Sequence, residues 1–345
     1  MKIVNIKEMT EIIQSSHLNF LIGSGLSTPF LPALNDIEVR LRAEGDEAKR
    51  IKIFKEYIKE VMLPNKDVIN RTVDQNEGSN FRLTYDSYRK FFETVSFILL
   101  KRKSTILSKQ ANIFTTNIDV MMETVLEDCN LNYNDGFLGQ IKPIFGISNF
   151  KKSVSKRSLH FENISEIPVF NLIKVHGSLT WKNDGDKIVF SKLDHFDKSL
   201  LEKDGNSFKE KYSELLIVNP YTDKFEKTVL DVTYYELLRM FSSELEKENA
   251  VLFVMGFSFA DEHIQEITVR SANSNPTLKI YVFCYSQNEF NQMKTNIRFG
   301  ELRYSNVEII APEDDSAEGR YTLKQINDSV FGNIILKKKE KLLEE

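Results

Sequence analysis

The sequence predicts an α/β protein, a parallel sheet flanked by helices with a helical insertion, and three observations carry this. Six short apolar runs end in small or polar residues: Asn19 to Gly23, Asn112 to Thr116, Leu172 to His176, Leu215 to Asn219, Val251 to Gly256 and Lys279 to Cys284. Each has the length of a buried strand and lacks the alternation of a half-solvated one. Segments of helical period lie between several of them, and strands alternating with helices make a parallel sheet. One long stretch, from about Leu34 to Ser108, breaks the alternation with a charged, helical pattern.

Taken in order, the first run opens onto Gly23-Ser24-Gly25-Leu26-Ser27-Thr28. The insertion that follows culminates in Tyr85 to Lys103, where Tyr88, Phe91, Phe92, Val95, Ile98 and Leu99 recur at helical spacing. These aromatics serve either packing within the insertion or assembly. The second run leads into a helix over Val120 to Glu127. The stretches from about Asn132 to Glu166 and Lys182 to Glu214 are polar and read as loops or a small accessory layer. Lys224 to Lys247 reads as a helix whose apolar face carries Phe225, Val229, Val232, Leu237, Leu238, Phe241 and Leu245. The division expected is a discontinuous sheet domain over 1–33 and 109–315, a helical insertion over 34–108 and a helical, charged tail over 316–345. There is no repeat of solenoid length, and the low-complexity piece is Lys337 to Glu345.

Composition narrows the function. At 345 residues, with 41% hydrophobic and 28% charged side chains, the chain is long enough for two domains or one large domain with an insertion, and wholesale disorder is excluded. Forty-six Lys plus Arg against 50 Asp plus Glu leave a net charge of -4, so direct nucleic-acid binding is not expected. The basic loop of Lys151, Lys152, Lys156 and Arg157 reads as solvated. Cys129 and Cys284 are the only cysteines, which excludes a disulfide framework and a four-cysteine metal site. No signal-peptide succession and no apolar run near ~18 residues is present. A cytoplasmic protein with no membrane association is expected.

Chemistry concentrates at strand ends, where parallel α/β sheets bind ligands. Gly23 and Gly25 permit close backbone approach to a phosphate, and a following helix start would offer free N–H groups; an ordinary tight turn has the same glycine pair. Thr115-Thr116-Asn117-Ile118-Asp119 brings a carboxamide and a carboxylate, which either face a ligand or cap the next helix. Lys174-Val175-His176-Gly177-Ser178 places a histidine before a residue that permits a sharp turn, in a structural or a catalytic role. In Gly256-Phe257-Ser258-Phe259-Ala260-Asp261-Glu262-His263, Gly256 and Ser258 are able to meet a phosphate or ribose and Asp261 to cap a helix. On a parallel sheet these clusters would converge on one crevice.

In this order, Gly-Ser-Gly-Leu-Ser, Thr-Thr-Asn-Ile-Asp, Val-His-Gly-Ser and Gly-Phe-Ser resemble the sirtuin superfamily over about Asn19 to Ser286. The resemblance implies a Rossmann-like domain that binds NAD. The Gly-Phe-Ser-Phe-x-Asp-Glu-His string and the long helical insertion look like bacterial sirtuin-like effectors of antiphage defence, which hydrolyse NAD to ADP-ribose and nicotinamide. By that similarity Asn117 would hold the ribose and a water, Asp119 the nicotinamide carboxamide, and His176 would act as base, since histidine ordinarily titrates near neutrality. Gly23, Gly25 and Ser27, with Ser24 and Thr116, would hold the pyrophosphate side, and Gly256, Phe257 and Ser258 the adenosine half. NAD is then the substrate and no metal is required; two cysteines cannot supply the four-cysteine zinc module usual in protein-deacylating sirtuins. Thr28-Pro29-Phe30 stands where those enzymes continue Gly-Ile-Pro-x-Phe-Arg. The resemblance further implies an abortive-infection role and a homo-oligomer docked on a HerA-type hexameric ATPase. The alternatives are an NAD-dependent protein deacylase and a scaffold that senses NAD or ADP-ribose without turnover.

Overall fold

The computed structural model describes residues 6–32, 40–41, 43–102, 104, 106–158, 163–194, 197–213, 215–217, 229–312 and 320–334. Their strands are β1 (His17–Ile22), β2 (Gln110–Thr115), β3 (Tyr133–Asn134), β4 (Phe137–Leu138), β5 (Ile144–Phe145), β6 (Ser155–Arg157), β7 (Ile164–Glu166), β8 (Val169–Lys174), β9 (Gly177–Asp184), β10 (Lys187–Phe190), β11 (Leu215–Ile217), β12 (Ala250–Met255), β13 (Lys279–Phe283) and β14 (Val307–Ile310). Seven of them form one sheet in the order β14-β13-β12-β1-β2-β8-β3, and every pairing in it is parallel. This is the Rossmann-like α/β architecture expected from the sequence. Leaving aside the two-residue β3, the other six strands follow the doubly wound order, in which the chain builds one half of the sheet outward from β1 and then returns to build the other.

A row of asparagines pins the centre of the sheet. Asn19, Asn112 and Asn171 lie opposite one another on β1, β2 and β8. Asn112 Nδ2 donates to Asn19 Oδ1 at 2.9 Å and Asn171 Nδ2 to Asn112 Oδ1 at 2.8 Å. A one-residue slip would unmake these bonds and turn every strand side chain to the other face, so the row specifies register.

Both faces are covered. On one side lies α4 (Asn80–Leu100), which follows α1 (Ile6–Ser15), α2 (Glu47–Tyr57) and α3 (Leu63–Ile69). Ser79 caps α4 by accepting from the Arg82 N–H, and Tyr88, Phe91, Phe92, Val95, Ile98 and Leu99 are all buried. These helices share the core of the sheet: Phe91 meets β1 Phe20 edge-on at 5.2 Å, and Phe92 meets β8 Phe170 at 5.1 Å. The segment after Thr322 joins the same core, with Phe331 5.6 Å from both Phe91 and Phe253. Lys337 to Glu345 lies outside the described residues.

The other face carries α7 (Val229–Leu245) and α8 (Glu262–Ser274), numbered after α5 (Met121–Asp128) and α6 (Gly205–Ser213). Leu237, Leu238, Phe241 and Leu245 are buried as expected, but Val232 is 67% exposed. Five residues before Leu237, it sits about 140° around the helix from it and so leaves the apolar stripe. Phe225 lies outside the described residues.

A second, antiparallel sheet runs β11-β9-β10-β5-β4. It corrects the reading of Leu215 to Asn219 as a strand of the main sheet: β11 pairs antiparallel with β9 instead. A continuous apolar run reports burial, here of Leu215 and Ile217, and not strand direction. Parallel strand β14 escaped notice for the converse reason. It is a short edge strand whose apolar run is broken by Glu308, paired with Lys279 at 3.3 Å. No helix among the described residues is long and apolar enough to cross a membrane.

If the C-terminal segment is part of the core, Phe331→Ala should cost about 3–5 kcal/mol, the usual range for emptying a buried aromatic site. Urea unfolding measures this, and a loss below about 1 kcal/mol would mean a merely apposed tail.

Candidate active site

Between β1 and β12 the doubly wound order reverses, so the loops leaving these strands diverge and open a crevice at the carboxyl edge. A cavity of ≈ 470 Å³ lies there, within the ~300–1,000 Å³ of pockets that enclose small ligands. Its shape depends on three glycines. A Cβ on Gly23 would fall 2.3 Å from Gly256 O, and one on Gly25 3.0 Å from the same oxygen. Gly256 itself has φ 61°, and its Cβ would lie 2.7 Å from Leu26 N. Only residues without side chains let the two loops touch.

That contact ties the turn after β1 to the loop after β12. The element after β1 is a single 3-10 turn, Ser24–Ser27, not a helix. Two of its amides and that of Gly23 are engaged within the protein: Gly23 N–H donates to Met255 O at 3.1 Å, Gly25 N–H to Gly256 O at 3.1 Å and Leu26 N–H to Gly23 O at 3.2 Å. The glycines thus bring the two loops into close contact.

Beside the cavity lies a buried polar network. Asn117 Nδ2 donates to Gly23 O at 3.2 Å and to Ser27 Oγ at 3.1 Å, and Ser27 Oγ donates to Asp119 Oδ2 at 2.9 Å. Asp119 Oδ1 accepts from the Met121 N–H that starts α5, so this carboxylate serves the helix start and the serine at once. The buried Lys174 Nζ donates to Asp119 O and pairs with Glu123 at 2.9 Å. Burial raises the Glu123 carboxyl above its usual range against the pull of Lys174.

His176 stands where the chain leaves the parallel sheet for β9, just before Gly177 at φ 79°. Its Nε2 lies 2.8 Å from Asp261 Oδ2, while Asp261 Oδ1 accepts the Ile264 N–H and caps α8. Burial would raise the Asp261 carboxyl, but the His176 hydrogen bond and charge, the Ile264 N–H and His263 together hold it below the usual carboxylate range. An ionised Asp261 accepts a hydrogen bond from Nε2–H, which leaves Nδ1 as the ring nitrogen not engaged by the carboxylate.

Comparison with known proteins now bears on this geometry. A family model described as SIR2-like domain matches residues 111–310, more than half of the chain. The chain belongs to the SIR2-like family. A solved structure from work on the structural basis for the mechanism and regulation of Sir2 enzymes is similar, with a TM-score of 0.43 and 10% identity over 100% of both chains. No curated protein matches. Family membership implies a sirtuin-type, NAD-related function with NAD as the bound dinucleotide.

In this SIR2-like chain the residues expected from the sequence fall into two groups. Ser24, Gly25, Thr116, His176, Gly256, Phe257 and Ser258 line the cavity. Gly23, Ser27, Asn117 and Asp119 belong to the buried contacts beside it; Asn117 and Asp119 are only 2% and 4% exposed. The lining suits a dinucleotide: hydroxyls of Thr28, Thr116 and Ser258 and the amides of Gln292 and Asn296 offer partners for phosphates and riboses, and Phe257, Phe283 and Tyr285 offer faces for a base. The wall formed after β13 by Tyr285, Gln292 and Asn296 carries no motif of its own in the sequence; its one signal is that the apolar run Lys279 to Cys284 ends at the same crevice. Sequence reasoning missed Asp261 as the partner of His176, having read it as a helix cap alone.

The depressed Asp261 carboxyl has a stability signature. Its contribution is fully present above the ordinary value of 3.8 and is lost as pH falls through that value toward the folded one. In Asp261→Asn the loss of unfolding free energy between about pH 5 and pH 1 should therefore be smaller than in the parent. Parallel pH curves from urea unfolding would contradict the pairing.

Proposed function

We propose that the protein is an NAD glycohydrolase that cleaves NAD to ADP-ribose and nicotinamide. The observation that carries this reading is the His176–Asp261 pair on the wall of a cavity whose other walls bear the sirtuin motif residues. Cleavage of the N-glycosidic bond builds oxocarbenium character on the ribose, and nicotinamide leaves as a neutral molecule, so no acid is needed at the leaving group. What remains is to hold the ribose and activate water. His176 Nδ1 takes the proton from water or a ribose hydroxyl, and Asp261 stabilises the imidazolium formed. Asn117 and Asp119, buried beside the cavity and not on its wall, supply the polar field behind the ribose and carboxamide.

Hydrolysis is favoured over protein deacylation because two cysteines cannot build the four-cysteine zinc module. The proposal extends to an NAD-depleting role in antiphage defence, as a homo-oligomer working with a HerA-type hexameric ATPase. It is supported there by the Gly256–His263 string and its likeness to such effectors.

The test is to incubate the purified chain with NAD, with and without the candidate ATPase, and to follow nicotinamide and ADP-ribose by chromatography. Equal release of both is expected, with His176→Ala lowering the rate about 10²–10⁴-fold, the usual worth of a general base, and Asn117→Ala also severely impaired. Undiminished turnover in His176→Ala would overturn the assignment. NAD bound but left intact would point to a sensor, and consumption only with an acylated peptide to a deacylase.

A further inference from the structure

Taken by itself the basic loop of Lys151, Lys152, Lys156 and Arg157 reads as solvated, but the fold sets a second basic run beside it. Residues 100–110 and 151–158 together hold eight Lys and Arg and no Asp or Glu. Gln110 Nε2 donates to Lys152 O at 3.2 Å, and the Val169 N–H to Lys109 O and Ile167 N–H to Val154 O, both at 3.0 Å. Lys109 Nζ in turn donates to Leu100 O at the end of α4. The two runs therefore make one surface at the amino edge of the sheet, where β2 and β8 begin. Lys101, Lys151, Lys152, Lys156 and Arg157 are exposed on it.

Elsewhere the cations of this chain are matched, as in Arg71–Asp128, Lys142–Asp184 and Arg298–Glu266. Here Lys109, Lys151, Lys152, Lys156 and Arg157 form no ion pair among the described residues, and the one carboxylate of the adjoining β7, Glu166, acts on the buried Arg102. Like charges held together repel, so an unmatched cluster on a chain of net charge -4 is the electrostatic footprint of a polyanion. The shape of the surface narrows the choice. Strands β6 and β7 pair as a two-stranded antiparallel ribbon with Lys156 opposite Ser165 and Arg157 opposite Ile164, and such a ribbon is admitted by the major groove of B-DNA. The exposed Ile164 adds apolar surface of the kind that meets thymine methyl groups there. Among the described residues of 100–110, 151–158 and 164–166 no aromatic side chain offers an unpaired base a stacking face, so a duplex suits the surface better than a single strand.

We propose that the amino edge of the sheet binds duplex DNA through its phosphate backbone, with the β6–β7 ribbon at the groove and Lys109, Lys151 and Lys152 against the flanking phosphates. β2 and β8 are each six residues long, so DNA held there lies ~20 Å from the cavity and leaves it open. The inference does not depend on the reaction carried out in the cavity.

The experiment is fluorescence anisotropy of a labelled mixed-sequence duplex two helical turns long, titrated with the full chain over a series of salt concentrations. The parent is expected to bind at low salt, and neutralising about five phosphates gives log K against log salt a slope of about -4.5. Lys151→Glu combined with Lys156→Glu should weaken binding about tenfold or more and flatten the slope by about 2. Lys151→Arg combined with Lys156→Arg keeps the charge and should bind as the parent does. Lys49→Glu combined with Lys52→Glu makes the same charge change on exposed positions of α2 and should leave affinity within about threefold, because distant exposed charges are screened. Absence of binding at low salt, a slope near zero, or equal losses in the two Glu variants would overturn the proposal, as would loss of binding in the Arg variant. Tighter binding of polyglutamate than of the duplex would overturn it in favour of an acidic protein partner.

Discussion

The cavity depends on a place where backbone meets backbone: the turn after β1 rests against the loop after β12 through Gly23, Gly25 and Gly256. At 2.3 Å, a Cβ on Gly23 would overlap Gly256 O, and relief would need movement of one of the two strand ends that frame the cavity. The consequences reach further than the lining. Gly23 O also receives the Asn117 carboxamide, and Gly256 O receives the Gly25 N–H. The same contact thus sets the width of the crevice and the position of the polar floor beside it.

Around that contact the structure ties separate elements to single polar side chains. Asp261 joins the helix start of α8 to the turn after β8 through Ile264 and His176. Asp119 joins the start of α5 to the turn after β1 through Met121 and Ser27. Each carboxylate divides its two oxygens between a backbone N–H and a site side chain, so helix formation and side-chain orientation are coupled. Below them, the stacked Phe20 and Phe253 and the edge-on Phe91 and Phe331 fasten the strands to helices from both ends of the chain.

The parallel sheet was legible because its central strands are buried on both faces, and such strands are unbroken apolar runs whatever their neighbours. The limits of that signal are equally physical. Leu215–Ile217 gives the same run in an antiparallel sheet, while β14, half-covered at an edge and interrupted by Glu308, gives no run at all. Helix α4 was visible in its aromatic spacing, but not that Phe91 on that stripe meets Phe20 of β1 and Phe92 meets Phe170 of β8, because periodicity assigns a face and not the partner across it. The motif residues were visible one by one. Their division into lining and buried network was not, since it follows from how the strand ends are placed around the cavity. Asp261 shows this most clearly: its place before a helix explains one oxygen, and only the fold brings His176 to the other.

The central claim is that NAD sits at this switch point with its scissile bond beside His176. The most direct measurement is a crystal structure of the His176→Ala protein soaked with NAD, in which slow turnover preserves the ligand. The account predicts intact NAD with the nicotinamide riboside toward Thr116 and residue 176 and the adenosine toward Tyr285 and Gln292. NAD bound elsewhere on the molecule, or seated there with its ends exchanged, would contradict it.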